Sequence, residues 1–157
     1  MAEAILRGIV SAGLAAPSDI SVGEPVQARR DQLASGHGVT VTGDNAEAVA
    51  GAELVVLSVK PQALGNVLPG LGAALKPQQA LASIVAGATI STIADGTGHQ
   101  AVIRVMPNTP AQIGAGISTW TASAAVTDAQ KKAARDVVAT LGEEVYVASE
   151  DLIDMST

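Results

Sequence analysis

Two apolar runs that end in proline-punctuated turns limit the fold of this chain more than any other feature. One is Leu54-Val55-Val56-Leu57-Ser58-Val59, followed by Lys60-Pro61-Gln62. The other is Val102-Ile103-Arg104-Val105-Met106, followed by Pro107-Asn108-Thr109-Pro110. Short β-branched runs without polar alternation read as strands covered on both faces, the mark of a parallel sheet. Proline has no N–H to donate, so it ends each ladder. Ligands of doubly wound sheets bind beyond the carboxyl ends of the strands. The two turns therefore point to one ligand-binding edge.

Helical patterns alternate with these strands. Ile5, Leu6, Ile9 and Val10 form an apolar stripe on a helix over about 2–14, which Gly13 and Pro17 end. A short strand over 19–22 precedes a helix opened by Pro25 and carrying Arg29, Arg30 and Leu33. A strand at 39–41 follows Gly36 and Gly38. Asp44 and Glu47 have the spacing of a capping box for a brief helix to about 51. Further strands are expected at 54–59, 81–85, 102–106, 117–121 and 145–147. Helices are expected at 62–75, 91–95 and 128–141, the last capped by Asp128. The pattern predicts an α/β fold: a Rossmann-like doubly wound, mainly parallel sheet with helices on both faces.

Composition removes several functions. With no cysteine among 157 residues, disulfides, thiolate nucleophiles and zinc–thiolate sites are excluded. A net charge of −6 argues against nucleic acid or an anionic membrane as partner. It leaves room for an anionic cofactor held by backbone N–H groups. The longest apolar run stops at Lys60, short of a transmembrane span. Glu3 and Arg7 break up any signal-peptide layout, so a cytoplasmic location is expected. No catalytic triad, carboxylate pair or metal cluster is apparent. His37 and His99 sit among glycines and read as solvated loop histidines. With one Trp, one Tyr and no Phe, the core must be aliphatic.

The chain opens on the helix that, in a dinucleotide-binding domain, follows a first strand and a Gly-rich turn. Neither Gly70-Leu71-Gly72, inside a helical stretch, nor Gly96-Thr97-Gly98 supplies that turn. The expected organisation is an incomplete NAD(P)-binding domain over 1–150. Residues 151–157, with Asp151-Leu152-Ile153-Asp154, begin a further helix.

With these motifs placed, the chain resembles the N-terminal part of pyrroline-5-carboxylate reductases. The likeness rests on Met1-Ala2-Glu3-Ala4, Asp44-Asn45, Val59-Lys60-Pro61-Gln62, Ala86-Gly87, Val105-Met106-Pro107-Asn108-Thr109-Pro110 and Asp151-Leu152-Ile153-Asp154. These stand in the family's order and spacing along the whole chain. The resemblance implies reduction of the C=N bond of 1-pyrroline-5-carboxylate to L-proline with NAD(P)H, in proline biosynthesis. It also implies that the family's first strand and Gly-rich loop lie before Met1. The helical dimerisation domain that holds substrate would follow Thr157. Homo-oligomerisation would then belong to the longer parent, and this chain alone is expected to be inactive. Loss of a central strand would leave the sheet with open inner edges and little stability margin.

The resemblance assigns cofactor contacts to Ser58, Val59, Lys60 and Pro61, mainly through backbone. It assigns Val85, Ala86 and Gly87 to the nicotinamide end, with Met106 and Asn108 lining that pocket and Asn45 on the adenosine side. Each has a plainer reading. Pro61 can simply start a helix, Lys60 can be an exposed turn lysine, and Asn45 can be an alternative N-cap. Gly87 can serve helix–strand packing, and Asn108 a double-proline turn. Glu24 ends a strand where an acid accepts from the ribose 2′-OH of NAD. Arg29 and Arg30, one turn on, suit the extra phosphate of NADP. Family habit favours NADP. A related 3-hydroxyacid dehydrogenase-like reductase and a non-enzymatic Rossmann-type binding module remain the alternatives.

Overall fold

The computed structural model describes residues 1–155. Ser156 and Thr157, the end of the segment expected to begin a further helix, lie outside the described residues. Helix α1 (Ala2–Ser11) buries Ile5 and Leu6 and leads through Gly13 to strand β1 (Ser21–Gly23). Helix α2 (Gln27–His37) stops at Gly38, whose φ of 69° few other residues tolerate. Strand β2 (Thr40–Thr42) and helix α3 (Asn45–Val49) follow. Then come β3 (Leu54–Leu57), α4 (Leu64–Ala74), β4 (Ala80–Ser83), α5 (Ile90–Thr97) and β5 (Val102–Pro107). The chain continues through β6 (Gly116–Ala122), α6 (Asp128–Ala139), β7 (Gly142–Tyr146) and α7 (Asp151–Asp154).

The strands form two sheets, β1-β2 and β3-β4-β5-β6-β7. All pairs are parallel except β5 with β6. Leu81 and Val102 point to one face, where Val55, Leu57, Leu64, Leu68, Leu71 and Ile93 complete a cluster. Ala80, Ala82, Ile103 and Val105 point to the other, against Trp120, Ala134 and Val138. This two-sided cover is why the strands read as unbroken apolar runs. Strand β1 pairs only with β2, and β3 only with β4. Both free edges border one groove of about 960 Å³, walled by Leu6, Ile20, Val22, Val55 and Leu57.

Local details differ from the sequence reading. Asp44 does cap α3, accepting from the Ala46 N–H at 2.8 Å. The box does not close, because the Thr42 hydroxyl donates to the Glu47 carboxylate and accepts from the Asp44 N–H. Helix α6 is capped by Thr127, not Asp128, in a complete box with Gln130. The helix expected from 62 opens as a 3-10 turn, Pro61–Ala63, and becomes α-helical at Leu64. Strand β3 ends at Leu57 because its partner β4 ends opposite, at Ser83. Neither histidine is a solvated loop residue. His99 is buried, with Nε2 2.6 Å from the Gln79 carbonyl. His37 closes α2 with Nε2 2.8 Å from Glu3 Oε1.

Glu3 also accepts from Arg29 at 2.6 Å, so α1 and α2 are joined through one carboxylate. The hydrogen bonds from His37, then Arg29, pull its pKa from 4.5 down to about 2. A depressed carboxylate contributes stability that is complete above 4.5 and is lost as pH falls through about 2. The Glu3 carboxyl carbon should titrate by NMR with a midpoint near 2, and Glu3→Gln should flatten the loss of stability below pH 4.5. A midpoint at the ordinary glutamate value would contradict the bridge.

Two glycines of α4 separate packing from propensity. A Cβ on Gly72 would lie 2.1 Å from the Thr97 carbonyl oxygen, whereas one on Gly70 would meet nothing within 4 Å. Gly72→Ala should therefore destabilise by about 1–3 kcal/mol, since backbone must move. Gly70→Ala should stabilise by about 0.5–1 kcal/mol through helix propensity. Urea unfolding of the two variants checks both signs.

Candidate cofactor site

Parallel pairing places the carboxyl ends of β3, β4 and β5 along one edge, with Leu57 opposite Ser83 and Ser83 opposite Arg104. Each strand leaves the sheet there in a turn. The Ile84 N–H still donates to the Leu57 carbonyl, and the Val85 N–H turns back onto the Ser83 hydroxyl.

Four of the expected contacts converge. Glu24, Asn45, Ser58 and Val59 all line the groove between β1 and β3. Asn45 is not the N-cap, since Asp44 fills that role. Its side chain instead lies over Gly23, where a Cβ would stand 2.4 Å from Asn45 Oδ1. The missing side chain of Gly23 leaves room for Asn45 in its present position. Lys60 and Pro61 are exposed and sit outside it, Lys60 just before the 3-10 turn and Pro61 as its first residue.

The second group lies along the ends of β4 and β5. Val85 is buried in the core, so only its backbone can meet a ligand. Ala86 and Gly87 are exposed. Gly87 has φ of 73° and open space around the position of a Cβ. Close helix–strand packing therefore does not explain this glycine; the left-handed turn does, and it leaves a bare strip of backbone. Met106 is half-buried at the end of β5. Asn108 is partly committed, because its Oδ1 accepts from the Ile117 N–H at 2.9 Å and pins the turn to β6. Its amide NH₂ remains as a donor.

The corner beyond β1 bears on cofactor choice. Glu24 Oε1 accepts from the Val26 N–H at 2.9 Å, which uses part of its accepting capacity on the chain itself. Arg30 wraps the same turn, donating to the Glu24 and Pro25 carbonyls at 2.6 and 2.8 Å. Arg29 lines the groove with Glu24 and is paired there with Glu3. Arg30 stands at the turn itself, outside the groove's lining.

One feature of this region escaped the sequence reading. Arg104, in the middle of β5, is 1 % exposed and ion-paired with Glu150 and Asp154. An arginine inside a buried strand run is itself the signal, because such a charge requires a carboxylate. Among the described residues no group of three or more potential ligands could hold a metal, and no helix is long and apolar enough to cross a membrane.

Known proteins share this arrangement. A pyrroline-5-carboxylate reductase of Synechocystis is 42% identical over 158 residues, an alignment covering 100% of this chain and 58% of that protein. The solved pyrroline-5-carboxylate reductase of Coxiella burnetii superimposes with a TM-score of 0.93 at 30% identity, over 98% of this chain and 57% of its own. The Plasmodium falciparum pyrroline carboxylate reductase, solved with NADP bound, gives a TM-score of 0.82 over 96% of this chain and 55% of its own. At 23% identity that likeness speaks for the fold alone. The chain thus spans under three-fifths of the length of these relatives. A family model described as NADP oxidoreductase coenzyme F420-dependent matches residues 1–87. With more than half of its residues so matched, the chain belongs to that NADP oxidoreductase family.

Proposed function

We propose that this chain is the cofactor-binding part of a pyrroline-5-carboxylate reductase, an enzyme that reduces the C=N bond of 1-pyrroline-5-carboxylate to L-proline with NAD(P)H in the cytoplasm. The observation that carries this reading is the row of strand ends. Glu24, Asn45, Ser58 and Val59 meet in one groove, and the turns after β4 and β5 continue the same edge. The 42% identity to a reductase of that name supports the substrate.

The residues present fit a nicotinamide dinucleotide. Exposed Ala86 and Gly87, with no side chain beyond Cβ, admit a flat ring against backbone. Half-buried Val59, after β3, and Met106, near the end of β5, offer apolar surface at the ends of the strands on either side of β4. When bound, the cofactor supplies a hydride. The protonated imine is already electrophilic, so the chain needs no nucleophile or metal of its own. Its work is to hold the ring in register and to exclude water. Asn108, fixed to β6 through its Oδ1, keeps its NH₂ for a polar group of ligand or substrate. Most substrate contacts and subunit pairing fall, in this reading, to a helical domain that follows Thr157 in a longer parent.

NADP is preferred over NAD. The Glu24 carboxylate is drawn into capping the turn, and the Arg29 guanidinium lines the groove beside it, with Arg30 against the turn, a setting suited to a 2′-phosphate. The description of the matching family as NADP oxidoreductases points the same way.

The test joins mass to activity. The polypeptide carrying these residues should be isolated from its source cells, weighed intact and assayed for pyrroline-5-carboxylate-dependent NADPH oxidation at 340 nm. Turnover should reside in a species well above 15.6 kDa, with none from the 157-residue chain alone. An inactive larger species would refute the reading, and an active 157-residue chain would refute the division of labour.

A further inference from the structure

A charge sits at the centre of the five-stranded sheet. Arg104 lies on β5 opposite Ser83 of β4 and Thr121 of β6, and all three are buried. The guanidinium donates to Glu150 Oε1 at 3.0 Å and to Asp154 Oδ1 at 2.6 Å. Both acids belong to the α7 segment. The same Glu150 oxygen accepts from the Ile90 N–H at 2.7 Å, at the first residue of α5. Ile153, between the two acids, is fully buried.

Three considerations make this more than a stabilising contact. Helix α7 has four residues, far too few to hold itself, so Ile153 and the ion pairs must fix it. Buried ion pairs seldom add net stability over well-packed apolar residues, yet they do select one geometry. Arg104 Nε adds to the cost, being buried with no hydrogen-bond partner among the described residues. Finally, the pairing joins segments next to the site's turns. Arg104 stands two residues before Met106 on β5, and Ile90 stands three residues after Gly87.

We propose that Arg104 is a positioning residue whose pairing with Glu150 and Asp154 locks α7 and the start of α5 against β5, and so sets the spacing of the turns that carry Ala86, Gly87, Met106 and Asn108. The functional half of this proposal rests on the reductase reading above. The structural half does not.

Hydrogen exchange at Ile90, Leu152 and Ile153, read beside nicotinamide fluorescence during NADPH titration, tests both halves on the longer polypeptide that carries these residues. Arg104→Met matches the volume without the charge. It should leave the thermal midpoint unchanged or higher, yet speed exchange at the three amides at least tenfold and reduce the emission change at saturating NADPH. Arg104→Lys should restore part of both signals. Glu150→Gln keeps an acceptor for Ile90 but loses its charge, so protection should persist at Ile90 and fall at Ile153. Should Arg104→Met fail to fold, Asp154→Asn probes the same lock from the partly exposed side. A folded Arg104→Met or Asp154→Asn with wild-type exchange overturns the lock. Faster exchange with an unaltered NADPH signal overturns the positioning role. A wild-type parent polypeptide without any NADPH signal overturns the functional half together with the reductase reading, while exchange still decides the lock.

Discussion

The parallel ladder through β3, β4 and β5 is the constraint on which the rest of this molecule depends. Its register sets Leu57, Ser83 and Arg104 level with one another, so β3 and β4 leave the sheet together while β5 runs on to Pro107 beside β6. Parallel strands need long crossovers, which puts helices on the faces and leaves the edges to turns. Those turns carry backbone groups that no ladder satisfies, and backbone is what a phosphate or a flat ring can meet at short range. The location of the candidate site is thus a consequence of strand pairing, before any particular side chain is considered.

Side chains then divide the work. Aliphatic residues on the two faces supply cohesion, with Leu81, Ile93, Val102 and Ile103 wholly buried. Glycines shape the site at two places: Gly23 makes room for Asn45, and Gly87 turns the chain left-handed. Charges act as joints between elements. Glu3 ties α1 to α2, Arg30 wraps the corner after β1, and Arg104 ties α7 and α5 to the sheet. The open edges of β1 and β3 along one groove are the least self-sufficient part of the structure, since unpaired strand edges invite pairing with other chains.

Much of this was legible in the residues. The β-branched runs placed β3 and β5, because burial on both faces leaves a simple mark. The turns at Pro61 and Pro107 marked the edge only approximately, since β3 stops at Leu57, where β4 ends opposite, and Pro107 is itself the last residue of β5. The expected contacts were harder. Asn108 could be recognised as a turn residue, but its bond to Ile117 depends on β6 folding back antiparallel, and a short apolar run does not announce its direction. Arg29 and Arg30 look alike in sequence; one helical residue of rotation sends the first to Glu3 and leaves the second at the corner. The buried histidine, His99, was misread because its glycine neighbours suggested solvent, whereas its partner, the Gln79 carbonyl, is twenty residues away. The lock around Arg104 spans some fifty residues, a distance at which local pattern carries no information.

The central claim is that the carboxyl edge of this sheet receives a nicotinamide dinucleotide. The most direct measurement is an amide-resolved NMR titration with NADPH, repeated with NADH, of the longer polypeptide that carries these residues. The account predicts shifts confined to Gly23, Asn45, Ser58, Val59, Ala86, Gly87 and Met106, with saturation at lower concentration for NADPH than for NADH. No shifts at millimolar NADPH, or shifts on another face of the molecule, would contradict it.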